Sequence, residues 1–114
     1  MTERTWRIVI SSEAEQDFVR ILAYTRDAFG PGQEAIYETT ILAAIGELDS
    51  GPNVLGSLAR DDLRPGVRSV HVARHGRRGR HVLMYRARQE KVIDVIRILH
   101  DAMDFARHVS PNID

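Results

Sequence analysis

Residues 92–108 read VIDVIRILHDAMDFARH, and this stretch decides the predicted fold. It begins as an apolar run that predicts a core strand over residues 91–99, with Ile96 and Ile98 on one face of the sheet. The end of this strand and the tail that follows carry side chains that can form ion pairs or exchange protons: Arg97, His100, Asp104 and Arg107. Such a set is typical of an active site and also of a charged surface that binds another macromolecule.

Two further strands precede this one and complete a meander. Residues 67–75 are rich in β-branched residues, residues 80–88 form the returning strand, and the segment GRRG between them predicts a hairpin loop. In this pairing His75 lies opposite Arg80. Arg64-Pro65-Gly66 is turn chemistry that begins the meander, and residues 54–63 are predicted to be a loop.

The first half of the chain predicts a strand and two helices. Residues 6–10 alternate as a short half-buried strand, and Ser12 with Glu15 forms a capping-box pattern that predicts the start of a helix. Each helix carries one apolar stripe: Ala14, Phe18, Ile21, Leu22, Thr25 and Phe29 in the first, and Tyr37, Ile41, Ala44, Ile45 and Leu48 in the second. The second pattern begins near Gln33. The short GPG turn between them predicts an antiparallel helical hairpin.

These elements define an α+β class in the order β-α-α-β-β-β. The prediction is an N-terminal strand, an antiparallel helical hairpin, a three-stranded antiparallel meander and a short C-terminal tail or helix. The N-terminal strand is expected to join the meander in an antiparallel sheet whose one face is buried by the hairpin. The length of 114 residues predicts a single domain over residues 1–114.

Composition narrows the function classes. The chain has no cysteine, which excludes disulfides, thiolate metal sites and a cysteine nucleophile. It has no apolar run of about 18 residues and no secretory signal pattern, so we expect a cytoplasmic protein with no membrane partner. The first 59 residues carry four basic and nine acidic groups, whereas the remainder carries twelve basic and seven acidic groups. The basic half predicts an acidic partner.

Motifs for nucleotide cofactors and for hydrolases are absent from the sequence. His71, His75 and His81 lack cysteine or nearby carboxylate partners, so we expect no metal and no cofactor. The adjacent pair Asp61-Asp62 predicts a capped turn or an ion pair with a nearby arginine.

Arginines concentrate on the central hairpin, at positions 74, 77, 78, 80, 86 and 88. They are suited to phosphate contacts or to capture of an acidic peptide, and equally to keeping an exposed hairpin soluble. Arg97 and His100 are suited to phosphate binding and acid–base chemistry in RNA cleavage. Strand alternation places these two on opposite faces, which disfavours that function.

The chain resembles the ParE toxins of bacterial type II toxin–antitoxin modules, within the RelE/ParE superfamily. The resemblance covers about residues 6–108 and is carried by DDLRPGVRSV, HVLMYR and IDVIRILHDAMDFARH, with the helical hairpin in ISSEAEQDFVRILAYTRDAFGPGQEAIY. The segment RHGRRGRH, residues 74–81, is longer and more basic than the family pattern.

The resemblance implies a toxin that inhibits DNA gyrase by binding, without enzymatic activity, and that blocks replication. It also implies a ParD-like ribbon-helix-helix antitoxin as partner, with DNA contacted only through the antitoxin or the gyrase complex. From the residue chemistry we predict partner contacts at Arg68, Arg74, Arg77, Arg78, Arg80, Arg86, Tyr24, Phe29, Tyr37, Asp104 and Arg107. For the aromatic members of this set, core packing is the competing interpretation.

Two alternatives stay open at this point. One is a ribosome-dependent mRNA interferase of the RelE type, with Arg97, His100 and Arg107 as its catalytic set. The other is a degenerate toxin that retains only antitoxin binding.

Overall fold

The computed structural model describes residues 5–109, which form a five-stranded sheet and a helical hairpin. The strands are β1 (Arg7–Ile10), β2 (Leu58–Ala59), β3 (Val67–His71), β4 (His81–Arg88) and β5 (Val92–His100). The helices are α1 (Ser12–Phe29) and α2 (Pro31–Gly46), with short 3₁₀-helices at Glu47–Ser50 and Phe105–Arg107. The predicted α+β class and the order of its main elements are confirmed. Among the helices of residues 5–109, none is both long enough and apolar enough to span a bilayer.

The sheet has the order β1-β5-β4-β3-β2, and β1 lies parallel to β5. The prediction of a wholly antiparallel sheet was therefore wrong at this pair. Parallel pairing requires a long crossover, and the intervening elements supply one. The two-residue strand β2, which pairs with β3, falls in the segment predicted to be a loop.

Strand β3 ends at His71, four residues before the predicted end. His71 pairs with Val82, and the Val72 N–H donates to the His81 carbonyl at 3.0 Å. The predicted pairing of His75 with Arg80 was wrong, because the chain leaves extended geometry: His75 has φ 52°. Residues 72–80 instead form a long basic loop at one end of the sheet.

The helical hairpin turns on a single residue. Gly30, at φ 95°, is both the C-cap of α1 and the N-cap of α2, and Pro31 follows as the first residue of α2. The second helix thus begins two residues before the predicted Gln33. Ser11, not Ser12, caps α1: its hydroxyl accepts the Ala14 N–H at 3.0 Å.

The core occupies both faces of the sheet. Between the sheet and the hairpin, the main cluster includes Ile41, Leu83 and Ile98. On the opposite face, a smaller cluster includes Met84 and Ile96. Ile96 and Ile98 therefore lie on opposite faces, contrary to the prediction.

A β-bulge explains this. Met84 pairs with Arg97 whereas Tyr85 pairs with Val95, so Ile96 is the extra residue of β5.

Candidate functional site

A groove of about 760 Å³ lies between the helical hairpin and the basic loop. We call it the aromatic–arginine groove. Its principal lining side chains are Tyr24, Phe29, Ile36, Tyr37, Arg77, Arg78, Arg80, His81 and His100. Six of the predicted partner-binding residues thus meet in one concave surface, although they come from two segments at least 40 residues apart in sequence.

The helical wall of the groove is aromatic. Tyr24 is 68% exposed and Phe29 is 66% exposed, so core packing does not account for either ring. Tyr37 is half-buried and packs against the core cluster. Large exposed apolar side chains that line a concave surface are typical of binding sites.

The loop wall of the groove is cationic. Arg80 forms a forked pair with Asp101, with nitrogen–oxygen distances of 3.1 and 3.2 Å. The guanidinium groups of Arg77 and Arg78 have no ion pair or hydrogen bond within residues 5–109. These two adjacent charges therefore remain available to an external anion.

Gly79 holds the loop close to the helices. A Cβ atom at this position would lie 2.6 Å from Val72 Cγ2 and 3.0 Å from the Tyr37 ring. Only glycine permits this approach without displacement of its neighbours.

Tyr37 and two histidines form a hydrogen-bonded cluster at the base of the groove. The Arg80 N–H donates to the Tyr37 hydroxyl oxygen at 3.0 Å, so the hydroxyl proton is free to donate to His81 Nδ1 at 2.6 Å. The His81 and His100 rings meet edge to face, with centroids 5.3 Å apart. Burial, reinforced by the charge of His100 when protonated, lowers the pKa of His81 to about 4, and burial raises the pKa of Tyr37. His81 is therefore neutral at physiological pH.

Asp101 anchors this end of the sheet. Its carboxylate accepts from Arg80 and from His71 Nε2, the latter at 3.0 Å. Hydrogen bonds from these two residues, Arg80 first, lower the pKa of Asp101 to about 2. Arg80 is thus partly neutralised, unlike Arg77 and Arg78.

Three other predicted arginines lie outside the groove and have internal contacts. Arg68 donates to the Pro52 carbonyl at 3.2 Å and to the Ser57 hydroxyl at 2.8 Å. Arg74 pairs with Glu47 at 3.0 Å, and hydrogen bonds from Arg74 lower the pKa of that carboxyl group. Arg86 lies on β4 opposite Asp94.

The Asp61-Asp62 prediction is confirmed. Asp61 accepts the Gly66 N–H at 2.9 Å, and Asp62 pairs with Arg60 at 3.2 Å.

Asp17 is a residue that sequence reasoning missed. It is 5% exposed on α1, where it accepts two hydrogen bonds from Arg97 at 2.8 and 2.9 Å and one from the Ile98 N–H at 2.9 Å. Burial opposes its ionisation, but these hydrogen bonds prevail and lower the pKa of Asp17. A carboxylate at helical spacing from Ala14 and Ile21 was the available signal.

Arg97 and His100 line one cavity of about 650 Å³ between α1 and the end of β5. Both residues follow the bulge and pair in regular register with β4, Arg97 with Met84 and His100 with His81, so the prediction that they lie on opposite faces of the strand is confirmed. They line the same cavity from those two faces. The guanidinium of Arg97 already has internal hydrogen-bond partners, because it donates to the Asp17 carboxylate and, at 3.0 Å, to the His108 carbonyl.

The two remaining predicted residues lie on the C-terminal segment. Asp104 caps the 3₁₀-helix Phe105–Arg107 by accepting the Ala106 N–H at 3.2 Å. The Arg107 side chain is 82% exposed and pairs loosely with Asp104 at 3.8 Å. Across residues 5–109 no group of three or more histidine, aspartate or glutamate side chains is arranged to hold a metal ion.

The fold is that of a small α+β protein in which a helical hairpin covers one face of a five-stranded sheet. A solved structure described as a chromosomal ParDE TA system from P. aeruginosa matches with a TM-score of 0.69 and 19% identity, over 86% of this chain and 98% of that chain. The family model described as ParE toxin of type II toxin–antitoxin system, parDE, matches residues 8–105. Toxin ParE1 of Mycobacterium tuberculosis, strains CDC 1551 / Oshkosh and ATCC 25618 / H37Rv, is 32% identical over 103 residues, or 90% of this chain and 97% of the relative. The chain belongs to the ParE toxin family of type II toxin–antitoxin systems.

Proposed function

We propose that this toxin inhibits DNA gyrase by binding and without cleaving any bond, and that a ParD-like antitoxin neutralises it. The observation that supports a binding surface is the pair Arg77 and Arg78, unpaired within residues 5–109, beside two exposed aromatic rings. Binding energy that favours the cleaved-DNA state of gyrase would stabilise that state without chemistry by the toxin. Because gyrase acts on the chromosome, the proposal places the toxin in the cytoplasm.

A supercoiling assay with purified toxin tests the target. We expect loss of supercoiling and accumulation of cleaved DNA as toxin is added. The double substitution of Arg77 and Arg78 by glutamine should weaken both effects, whereas Arg7→Gln, on β1 and outside the groove, should not. Unchanged supercoiling by gyrase at a high excess of toxin would contradict the proposal.

The antitoxin would use the same face of the toxin. An amphipathic helix with acidic side chains could place its apolar stripe on Tyr24 and Phe29 and its acids on the loop arginines. Arg77→Glu should weaken antitoxin binding, and Arg74→Glu should act mainly through stability, because Arg74 already pairs with Glu47. Calorimetry of the two variants against a purified antitoxin separates these effects.

An mRNA interferase is the second candidate, favoured by the contact between His81 and His100 beside Tyr37. Two imidazoles and arginine side chains are suited to proton transfer and phosphate stabilisation in RNA cleavage. Primer extension on translated mRNA after induction discriminates it from the gyrase inhibitor. Discrete cleavage sites that disappear with His100→Ala would establish the enzyme.

A degenerate toxin makes a different prediction for growth. Expression of the chain alone would leave growth unchanged while antitoxin binding persisted.

A further inference from the structure

The geometry points to the aromatic–arginine groove as a nucleotide-binding site, in which a base stacks on Tyr24 or Phe29 and its phosphate is bound by Arg77 and Arg78. Such a site would contact a nucleotide directly, whereas the family resemblance implies DNA contact only through the antitoxin or the gyrase complex. It does not depend on gyrase as the target, because the isolated toxin carries the whole site.

The phosphate is inferred from the selective pairing of the loop arginines. Arg74 is paired with Glu47, and Arg80 with Asp101, whereas Arg77 and Arg78 have no acidic partner within residues 5–109. Two adjacent guanidinium groups repel one another unless an anion lies between them. Their planar forks match the oxygen geometry of a phosphate.

The base is inferred from the opposite wall. Tyr24, Phe29 and Ile36 are each more than half exposed and line the groove across from the two arginines. Flat aromatic faces stack on nucleobases whatever the base, so arginine beside exposed rings is the combination found in single-strand sites. A groove of about 760 Å³ lies within the range of small-ligand sites, and so has room for one nucleotide.

The base of the groove supplies imidazole hydrogen-bond donors. His81 Nδ1 is occupied by the Tyr37 hydroxyl, and His100 Nδ1 accepts the Ala102 N–H at 3.1 Å. With Nδ1 of each ring acting as an acceptor, Nε2 is the nitrogen that carries a proton. These N–H groups can donate to phosphate or base oxygens.

An acidic peptide would use the arginines equally well. Its apolar side chains could also pack on the exposed rings, as proposed for the antitoxin helix. A single nucleotide, however, fits the groove and engages the rings and the two arginines together, so it is the ligand inferred for the isolated toxin and the peptide is an outcome of the test.

Calorimetric titration of the isolated toxin tests the inference. The ligands are thymidine monophosphate, thymidine, inorganic phosphate, a five-residue deoxythymidine oligonucleotide and a glutamate–leucine peptide. We expect the monophosphate to bind at least tenfold more tightly than thymidine or inorganic phosphate. Tighter binding of the oligonucleotide identifies single-stranded nucleic acid as the source, and equal binding identifies the free nucleotide.

Three variants test whether the nucleotide binds at this groove. Phe29→Ala should weaken nucleotide binding about tenfold, through loss of stacking. Arg77→Gln should weaken it similarly and reduce the salt dependence of oligonucleotide binding by about 0.7 in log–log slope, the value for one lost single-strand phosphate contact. Arg7→Gln should change neither. All three side chains are on the surface, so circular dichroism should show an unchanged fold.

Several results would overturn the inference. Inorganic phosphate binding as tightly as the monophosphate would leave a bare anion site, and saturation by the peptide alone would identify a protein ligand. An equal loss of nucleotide affinity in the Arg7 and Arg77 variants would indicate non-specific electrostatic binding. None of these results decides the gyrase proposal, which the supercoiling assay tests separately.

Discussion

Asp17 shows how a single polar side chain completes the sheet. Strand β1 ends at Ile10, so the edge of β5 beyond Val95 lacks a strand neighbour. Ser11 lies beside this edge and satisfies part of it. Its N–H donates to the Val95 carbonyl at 3.0 Å, and its hydroxyl donates to the Ile96 carbonyl at 2.8 Å. Asp17 then accepts the N–H of Ile98. Two polar residues at the start of α1 thus take the place of strand hydrogen bonds.

Removing Asp17 should strongly destabilise the toxin. Asp17→Ala leaves the largely buried Arg97 guanidinium without its counter-ion and the Ile98 N–H without an acceptor, which we expect to reduce the free energy of unfolding by about 3 kcal/mol. The double variant Asp17→Ala, Arg97→Met should recover part of this loss. Urea unfolding of both variants measures it, and a loss below about 1 kcal/mol for the single variant would contradict the role.

His81 makes stability depend on pH. Its folded pKa of about 4 lies below the ordinary value of 6.5, so between these values the unfolded chain binds more protons than the folded one. Stability should therefore rise with pH from about 4 to 6.5, and the His81 contribution should be lost as the pH falls through this window. We expect a change of roughly 2 kcal/mol.

The variant His81→Asn isolates this effect. Denaturant unfolding at pH 4.5 and 7 should show a smaller difference for His81→Asn than for the wild-type toxin. His75→Asn is the matched control, since the His75 side chain is 71% exposed. The same pH difference in wild type and His81→Asn would show that other groups cause it.

The basic loop depends on its glycine. Gly79→Ala places a methyl group against Val72 and the Tyr37 ring, so we expect the loop to move outward, with a loss of about 1–3 kcal/mol in stability. Gly32→Ala is the control: its Cβ meets nothing within 4 Å, and alanine favours helix, so stability should rise slightly. Thermal unfolding compares the two variants. A Gly79→Ala protein as stable as wild type would contradict the close approach.

The elements were predictable where local pattern and burial agree. The apolar stripe of α2 and the apolar runs of β4 and β5 carry their own periodicity, and the start of each of these elements was predicted within two residues. The parallel pairing of β1 was not predictable, because a half-buried strand alternates in the same way whichever direction its neighbour runs. Strand β2, at two residues, is too short to show any period.

The candidate site was predictable only in parts. Arg77, Arg78, Tyr24 and Phe29 were identified by residue type, but the groove that unites them depends on the fold. The bulge at Ile96 has no residue signature, so the placement of Ile96 and Ile98 on opposite faces could not be derived from alternation. Asp17 was missed because its partners lie 80 residues away.

At the scale of the whole molecule, the two faces of the sheet are covered unequally. The helical hairpin covers one face. Within residues 5–109, the other face, with Val67, Met84 and Leu99, is covered mainly by Leu63, Phe105 and Val109. The C-terminal segment therefore contributes to the core as well as to the charged surface, and Arg97 holds it through the His108 carbonyl.

Phe105 should accordingly matter more than its position near the chain end implies. It packs on the second core cluster, and the Arg60 guanidinium lies 5.1 Å from its ring centroid. Phe105→Ala removes both contacts, so we expect a loss of about 2 kcal/mol in the free energy of unfolding. Arg107→Ala, on the same 3₁₀-helix, should change stability by less than about 0.5 kcal/mol, because its side chain is exposed. Chemical unfolding of the two variants decides the matter: equal stabilities would mean that the C-terminal segment does not cover the second face in solution.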